Sequence, residues 1–236
     1  MKNRKKKRLL IIPAKGQSTR IPNKNIKNFF GKPIIHYSIK AAKKSKLFEM
    51  IHISTNSKKI FDIAKKMKVM PIFFREEYMC KENIGIFDVV KKDYLKLTKL
   101  GFDFQEIWCL FPCAPLINFL DLKKLSKNIN LKKTRLPCIS ISKFPAPIQW
   151  AYRMKKNNKI LPLFKNKHLI QSQNLKETYF DVGVLSVFSN KDLINNNKKK
   201  INKVLYGYKL PWGKVVDIDN MDDWKIAEKL YKLKID

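Results

Sequence analysis

Residues 9–14 are apolar without a break and end in Pro13-Ala14. A continuous run of that length predicts a strand covered on both faces, at the centre of a parallel sheet. Residues 15–30 are polar and basic and predict a loop. Pro33 then stands where the first turn of a helix would begin, and Ile34, Ile35, Ser38, Ile39 and Ala42 trace one helical face. A second strand is expected at 50–55, a helix capped by Ser57 and running to about Lys68, and a third strand at 69–74. This alternation predicts an α/β fold with a doubly wound, mostly parallel sheet. Further on, the pattern gives a helix at 84–100, a strand at 106–111 stopped by Pro112-Cys113-Ala114-Pro115, a helix at 120–129 and a strand at 137–142. From Phe144 the texture changes. Residues 149–155 and 159–164, separated by Asn157-Asn158, read as a β-hairpin, so 144–179 is expected to form a lobe inserted into a single domain of 1–236. A polar, basic surface loop at 195–200 and an amphipathic helix at 221–234 close the pattern.

Composition excludes several classes. No apolar run approaches the roughly 18 residues of a membrane helix, and the few apolar residues after the basic start are too short for a signal peptide, so a cytoplasmic protein without a membrane partner is expected. The four cysteines, Cys80, Cys109, Cys113 and Cys138, form no CxxC pair and predict free thiols. The net charge of +32 invites a nucleic-acid reading, but only six of the 51 basic residues are Arg. Phosphate and base readers favour the bidentate Arg fork. Here Lys is spread along the chain beside many Asn, Ile and Phe, a pattern of composition bias on solvated faces, and no specific nucleic-acid partner is expected. His36, His52 and His168 stand in ordinary contexts that suit ring packing or surface placement.

Two segments carry candidate chemistry. The loop after the first strand, Pro13-Ala14-Lys15-Gly16-Gln17-Ser18-Thr19-Arg20 and on to Asn25, offers hydroxyls and cations at the carboxyl end of a strand, where α/β sheets bind ligands. It suits a polyphosphate, or is a basic surface loop in a basic protein. It has too few glycines for a Walker or GxGxxG motif. Near the end, Val215-Val216-Asp217-Ile218-Asp219 places two carboxylates on one face of an extended chain. They could share a divalent ion, or Asp219 could simply cap the helix that contains Trp224.

These residues also carry a resemblance. Pro13 to Thr19, Ile21-Pro22-Asn23-Lys24-Asn25, Gly31-Lys32-Pro33, Ser54-Thr55-Asn56, Arg75, the Pro112–Pro115 turn and the ending Asp217-Ile218-Asp219 with Asp222, Asp223 and Trp224 together resemble the acylneuraminate cytidylyltransferases. Phe144-Pro145-Ala146-Pro147-Ile148-Gln149, and Ser172-Gln173-Asn174-Leu175 with Glu177, Tyr179, Asp181 and Gly183, resemble the pseudaminic acid branch of that family. The resemblance spans Ile11 to Leu230. It implies a nucleotide-diphospho-sugar transferase-like fold and transfer of CMP from CTP to an acidic nine-carbon sugar for cell-surface glycan synthesis. Pseudaminic acid is favoured over N-acetylneuraminate, legionaminate or a Kdo-type acid. A rival from another class is a non-catalytic polyanion-binding homologue.

By the same resemblance, Ala14, Lys15, Gly16, Ser18, Arg20, Lys24, Asn25 and Arg75 bind the nucleotide, with Lys24 and Asn25 also catalytic. Asp217 and Asp219 are catalytic through Mg²⁺, which they hold. Gln149, Ser172, Gln173 and Asp181 face the sugar, although Gln173 could instead pack within the lobe. The lobe is expected to pair with that of a second subunit in a homodimer. Several positions depart from the family pattern: Lys15 for Arg, Gln17 for Gly, Thr19 for Lys, Asn56 for Asp, Gln171 for Arg, and Phe180 and Val184 for polar residues. The scaffold and carboxylate pair are therefore expected to be intact and the sugar pocket altered.

Overall fold

The computed structural model describes residues 7–69, 71–129, 137–195 and 204–233. The expected 195–200 loop falls almost wholly outside them, as does the end of the 221–234 helix. The elements in chain order are β1 (Arg8–Pro13), β2 (Asn28–Phe29), β3 (Lys32–Pro33), α1 (Ile35–Ser45), β4 (Met50–Ser54), α2 (Lys58–Lys66), α3 (Ile86–Lys99), β5 (Glu106–Leu110), α4 (Phe119–Asn128), β6 (Cys138–Lys143), β7 (Tyr152–Met154), β8 (Ile160–Pro162), β9 (Tyr179–Ser189), α5 (Asn190–Asn195), β10 (Tyr206–Lys209) and α6 (Met221–Lys232).

Six strands form one sheet in the order β10-β6-β9-β5-β1-β4. All neighbours are parallel except β9, which runs antiparallel to both β5 and β6. β1 lies between β4 and β5, and the period of two along it sets the layers. Leu10 and Ile12 join Ile35, Ile39, Ile60, Ala64, Leu122 and Leu125 of α1, α2 and α4 on one face. Leu9 and Ile11 join Val90, Tyr94 and Leu97 of α3 and Leu193 of α5 on the other. Burial of such aliphatic side chains stabilises by about 1.5–3 kcal/mol each, so the central strand is fixed by both layers. A third cluster ties α6 to the β2–β3 hairpin, with Trp224, Ala227, Phe29 and Ile34 buried and Tyr231 edge-on to Phe29 at 5.3 Å between centroids.

Three local expectations are corrected. Residues 69–74 form no strand among those described, because Pro71 has no N–H to give a ladder. The segment instead runs past the edge strand β4, with Ile72 N donating to His52 Nδ1 at 3.3 Å and Arg75 N to Thr55 O at 2.7 Å. Pro33 pairs in β3 and does not open the helix, which starts at Ile35. Ser57 stands at the α2 N-cap position but its side chain makes no cap hydrogen bond.

Between β6 and β9 the chain leaves the sheet. β7 and β8 pair as a short antiparallel hairpin. Asn157 (φ 59°) and Asn158 (φ 57°) supply the two consecutive left-handed residues that a tight hairpin turn requires. The hairpin exposes Met154, Ile160 and Leu161, and Leu163 and Leu169 beyond it are exposed as well.

Candidate active site

One cavity of about 400 Å³ opens beyond the carboxyl ends of β1 and β5. Its lining includes Lys15, Ser18, Arg20, Lys24, Asn25, Arg75, Lys81, Glu82, Asp217, Gly183 and Val184. Lys15, Arg20, Lys24, Arg75 and Lys81 set five cations against the carboxylates of Glu82 and Asp217. That excess suits a polyanionic ligand.

The β1 loop is held from several sides. Ala14 is fully buried and its N–H donates to Ser54 O at 2.8 Å. Gly16 N donates to Asn56 Oδ1 at 2.8 Å, and a Cβ at Gly16 would come within 2.9 Å of Ser57 Cβ, so the loop lies against α2 only because this residue has no side chain. Asn56 in turn donates to both carboxylate oxygens of Glu77 at 3.0 Å. Asn25 is buried, donates from Nδ2 to Lys15 O at 2.8 Å and accepts from the Cys113 thiol at 3.3 Å, which orients its amide across the loop. Ser38 of α1 donates to Phe111 O at 2.8 Å, fixing the turn that brings Cys113 there. Gln17 and Thr19, two departures from the family pattern, are exposed.

The segment carrying Asp217 and Asp219 is extended but does not pair in the sheet. Ile218 is buried against Trp224 and Ile21, which turns the carboxylates on either side of it the other way. Asp219 is not the helix cap. Asn220 is, in a reciprocal capping box with Asp223, so the Asp219 carboxylate is left for the β1 loop. Arg20 Nη1 lies 2.7 Å from Asp219 Oδ2, and Lys24 Nζ lies 3.5 Å from Asp219 Oδ1 and donates to Ile218 O. Asp217 faces the cavity. The protein wall around it, and then Asp219, raise its pKa above the usual carboxylate value, while Lys24 and Arg20 pull it down. A Cβ on Gly183 (φ +56°) would stand 3.1 Å from Asp217 Oδ2, so this glycine clears the space beside the carboxylate.

No group of three or more His, Cys, Asp or Glu side chains able to hold a metal occurs among the described residues. Two carboxylates one residue apart, Asp217 and Asp219, still fit Mg²⁺, which takes one or two carboxylates and completes its shell with substrate phosphates and water.

The four residues expected at the sugar do not line this cavity. Gln149 has a buried Oε1 with no hydrogen-bond partner among the described residues. Ser172 lines a separate hollow of about 180 Å³ on the lobe. Gln173 is exposed and donates to Gln171 Oε1 at 2.7 Å, and Asp181 accepts from Gly183 N at 2.9 Å. The far wall, Met79 to Ile84, carries no motif that sequence reasoning could have found, and Cys113 was legible only as part of a Pro-rich turn. All four cysteines are free. Burial pushes Cys109, Cys113 and Cys138 up to about 12.

Comparison with known proteins agrees with this geometry. The family described as cytidylyltransferase matches residues 9–209. A pseudaminic acid cytidylyltransferase of Campylobacter jejuni subsp. jejuni serotype O:23/36 (strain 81-176) is 32% identical over 230 residues, covering 96% of this chain and 97% of that protein. A CMP-N,N'-diacetyllegionaminic acid synthase of Legionella pneumophila subsp. pneumophila is 26% identical over 234 residues, covering 95% and 96%. Among solved structures, a CMP:2-keto-3-deoxy-manno-octonic acid synthetase complexed with CTP superposes with a TM-score of 0.67 over 97% of this chain and 99% of that one. Its identity of 13% makes it a statement about fold alone.

Proposed function

Because the chain belongs to the cytidylyltransferase family, we propose that its cavity joins CTP to a nonulosonic acid, with pseudaminic acid the favoured substrate, to give the CMP-sugar and pyrophosphate. The observation that carries this reading is the clasp at the cavity lip, where Lys24 and Arg20 of the β1 loop meet Ile218 and Asp219. It puts a polyphosphate-binding loop and a carboxylate pair on one ligand.

In the reaction the anomeric hydroxyl oxygen bonds to the α-phosphorus, the bond from that phosphorus to the bridging oxygen breaks, and the hydroxyl proton is released. Little covalent chemistry is asked of the protein, so positioning and charge neutralisation do most of the work. Lys15, Ser18, Arg20 and Lys24 hold the triphosphate. Asn25, with both ends of its amide engaged, keeps the loop in shape, and Arg75 contributes from the opposite wall. When Mg²⁺ is bound by Asp217 and Asp219, it neutralises charge on the phosphates. The sugar is selected around Gly183 and Val184, with Gln149, Ser172 and Gln173 supplied from the lobe and Asp181 from β9.

The test is pyrophosphate release from CTP and Mg²⁺ against a panel of nonulosonic acids. The expected result is a kcat/KM for pseudaminic acid at least about tenfold above that for N-acetylneuraminate, the scale of one or two mispaired sugar hydroxyls. A ratio below one shows that the lobe sequence reports ancestry and not specificity. Turnover with none of the sugars, together with salt-sensitive polyanion binding, favours the non-catalytic reading.

The lobe completes a homodimer in this reading. Its support is the row of exposed apolar side chains Met154, Ile160, Leu161, Leu163 and Leu169, on a hairpin too short to be stable alone. A C₂ interface would contain each of them twice. Ile160→Asp with Leu161→Asp is expected to weaken self-association by at least about 100-fold. Light scattering after size exclusion should then give the 27.9 kDa mass of one chain. A variant that keeps the parent mass places the interface elsewhere.

A further inference from the structure

Behind the cavity wall lies a buried polar chain that no motif announces. Arg75 is 7% exposed. Its Nε donates to Ser54 Oγ at 2.9 Å and its Nη2 to Ser54 O at 2.7 Å, so one edge of the guanidinium is pinned to the last residue of β4. Ser54 and His52, two residues apart on β4, point to the same face of the sheet, and the carboxylate of Asp93 on α3 stands against that face beside the His52 ring. Asp93 is 3% exposed, and its Oδ2 has no hydrogen-bond partner among the described residues. His52 Nε2 lies 3.9 Å from it and likewise has no hydrogen-bond partner among the described residues. His52 Nδ1 accepts from Ile72 N, so the ring proton sits on Nε2 and faces Asp93.

We propose that Asp93, acting through Ser54 and backed by His52, is a positioning residue that keeps the Arg75 guanidinium oriented and charge-balanced in the nucleotide-facing wall. The proposal rests on the reading that this cavity takes CTP. A buried cation needs a compensating charge. Among the groups acting on Arg75, Asp93 is the carboxylate, and the others named are the thiols of Cys80 and Cys109. Both thiols are pushed upward by burial and stay neutral near pH 7.

The device titrates. Burial raises Asp93 to about 6 in spite of the hydrogen bond from Ser54 and the charges of Arg75 and Lys96. Around it, His52 of β4 is held neutral, pushed down to about 3 by burial, Glu76 is held below the usual carboxylate range, and Cys109 of β5 lies near 12. Arg75 stays a guanidinium cation, so between pH 5 and 8 it is the charge of Asp93 that changes beside it. Protonation of Asp93 below about 6 removes the negative charge that balances Arg75 and faces the Ser54 side of β4, so the guanidinium is held by its bonds to Ser54 without that charge.

The test measures kcat and the KM for CTP from pH 5 to 8 in the parent protein, Asp93→Asn, Ser54→Ala and Arg75→Ala. Arg75→Ala serves as the background that shares any titration of CTP itself. The parent is expected to lose CTP affinity below about pH 6 relative to that background, carried by KM. Asp93→Asn and Ser54→Ala should each raise KM about tenfold at pH 8, the scale of one charge-assisted hydrogen bond, and show no such inflection. A folded Asp93→Asn or Ser54→Ala with parental KM and parental inflection overturns the proposal. So does a KM that falls in acid, which would mean that Arg75 binds better uncompensated. If Asp93→Asn does not fold, Ser54→Ala and the parental pH profile decide. If Arg75→Ala itself leaves KM unchanged, the nucleotide reading of this wall fails first.

Discussion

Asp217→Asn is expected to lower the maximal rate of pyrophosphate release by at least about 100-fold, the scale of losing one preorganised electrostatic element. The substitution keeps the shape of the side chain and removes the charge that faces the cavity. Asn offers a divalent ion an amide oxygen but no charge to balance it, and part of the charge of the neighbouring Asp219 is already met by Arg20 and Lys24. The same dependence should appear without mutation. EDTA is expected to abolish turnover and added Mg²⁺ to restore it. Parental rates in EDTA, or in a protein carrying Asn at both positions, would remove the carboxylates from the mechanism and leave the cationic loop as the site's chemistry.

Lys24→Met should be of similar size, about 100-fold or more in kcat/KM, because two functions are lost together. One is a cation lining the cavity and the other is the tether from Nζ to Ile218 O. The methionine stem fills nearly the same volume, so the thermal midpoint should move little for a partly exposed surface contact. A rate loss with an unchanged midpoint is the outcome that separates chemistry from folding. A loss below about threefold would mean that the lysine is only a peripheral charge. Lys24→Arg, which keeps charge but exchanges a compact ammonium for a planar fork, is expected to recover part of the loss.

Much of this architecture was legible in the residues. The unbroken run of β1, the Ile35-Ser38-Ile39-Ala42 face of α1 and the twin Asn turn each answer to a single local rule, and each stands where that rule puts it. The site was legible where chain neighbours act together, as in the loop from Lys15 to Asn25 and the pair Asp217 and Asp219. It was not legible where it is made by packing. A single proline turned 69–74 from an apolar strand pattern into an edge segment, held to β4 by the Ile72 N to His52 bond and followed by the Arg75 N to Thr55 O bond. The wall from Met79 to Ile84 and the Asp93–Ser54–Arg75 chain join residues from separate elements, each ordinary in its own sequence context. Of the sugar residues named from the resemblance, Gln149, Ser172 and Gln173 stand on the lobe, and Asp181 reaches only the backbone of Gly183 at the cavity edge.

The clasp between Lys24 and the Asp217–Asp219 segment closes a contact 195 residues apart in sequence. During synthesis the β1 loop leaves the ribosome well before Asp217, Asp219 and the α6 helix that seats them. A nascent chain can therefore present its cationic loop while the intervening residues are made, without possessing the carboxylates. Closing so long a loop costs entropy before it gains contacts. The clasp is thus complete only once α6 has packed against the β2–β3 hairpin, which ties the site to the closing of the fold.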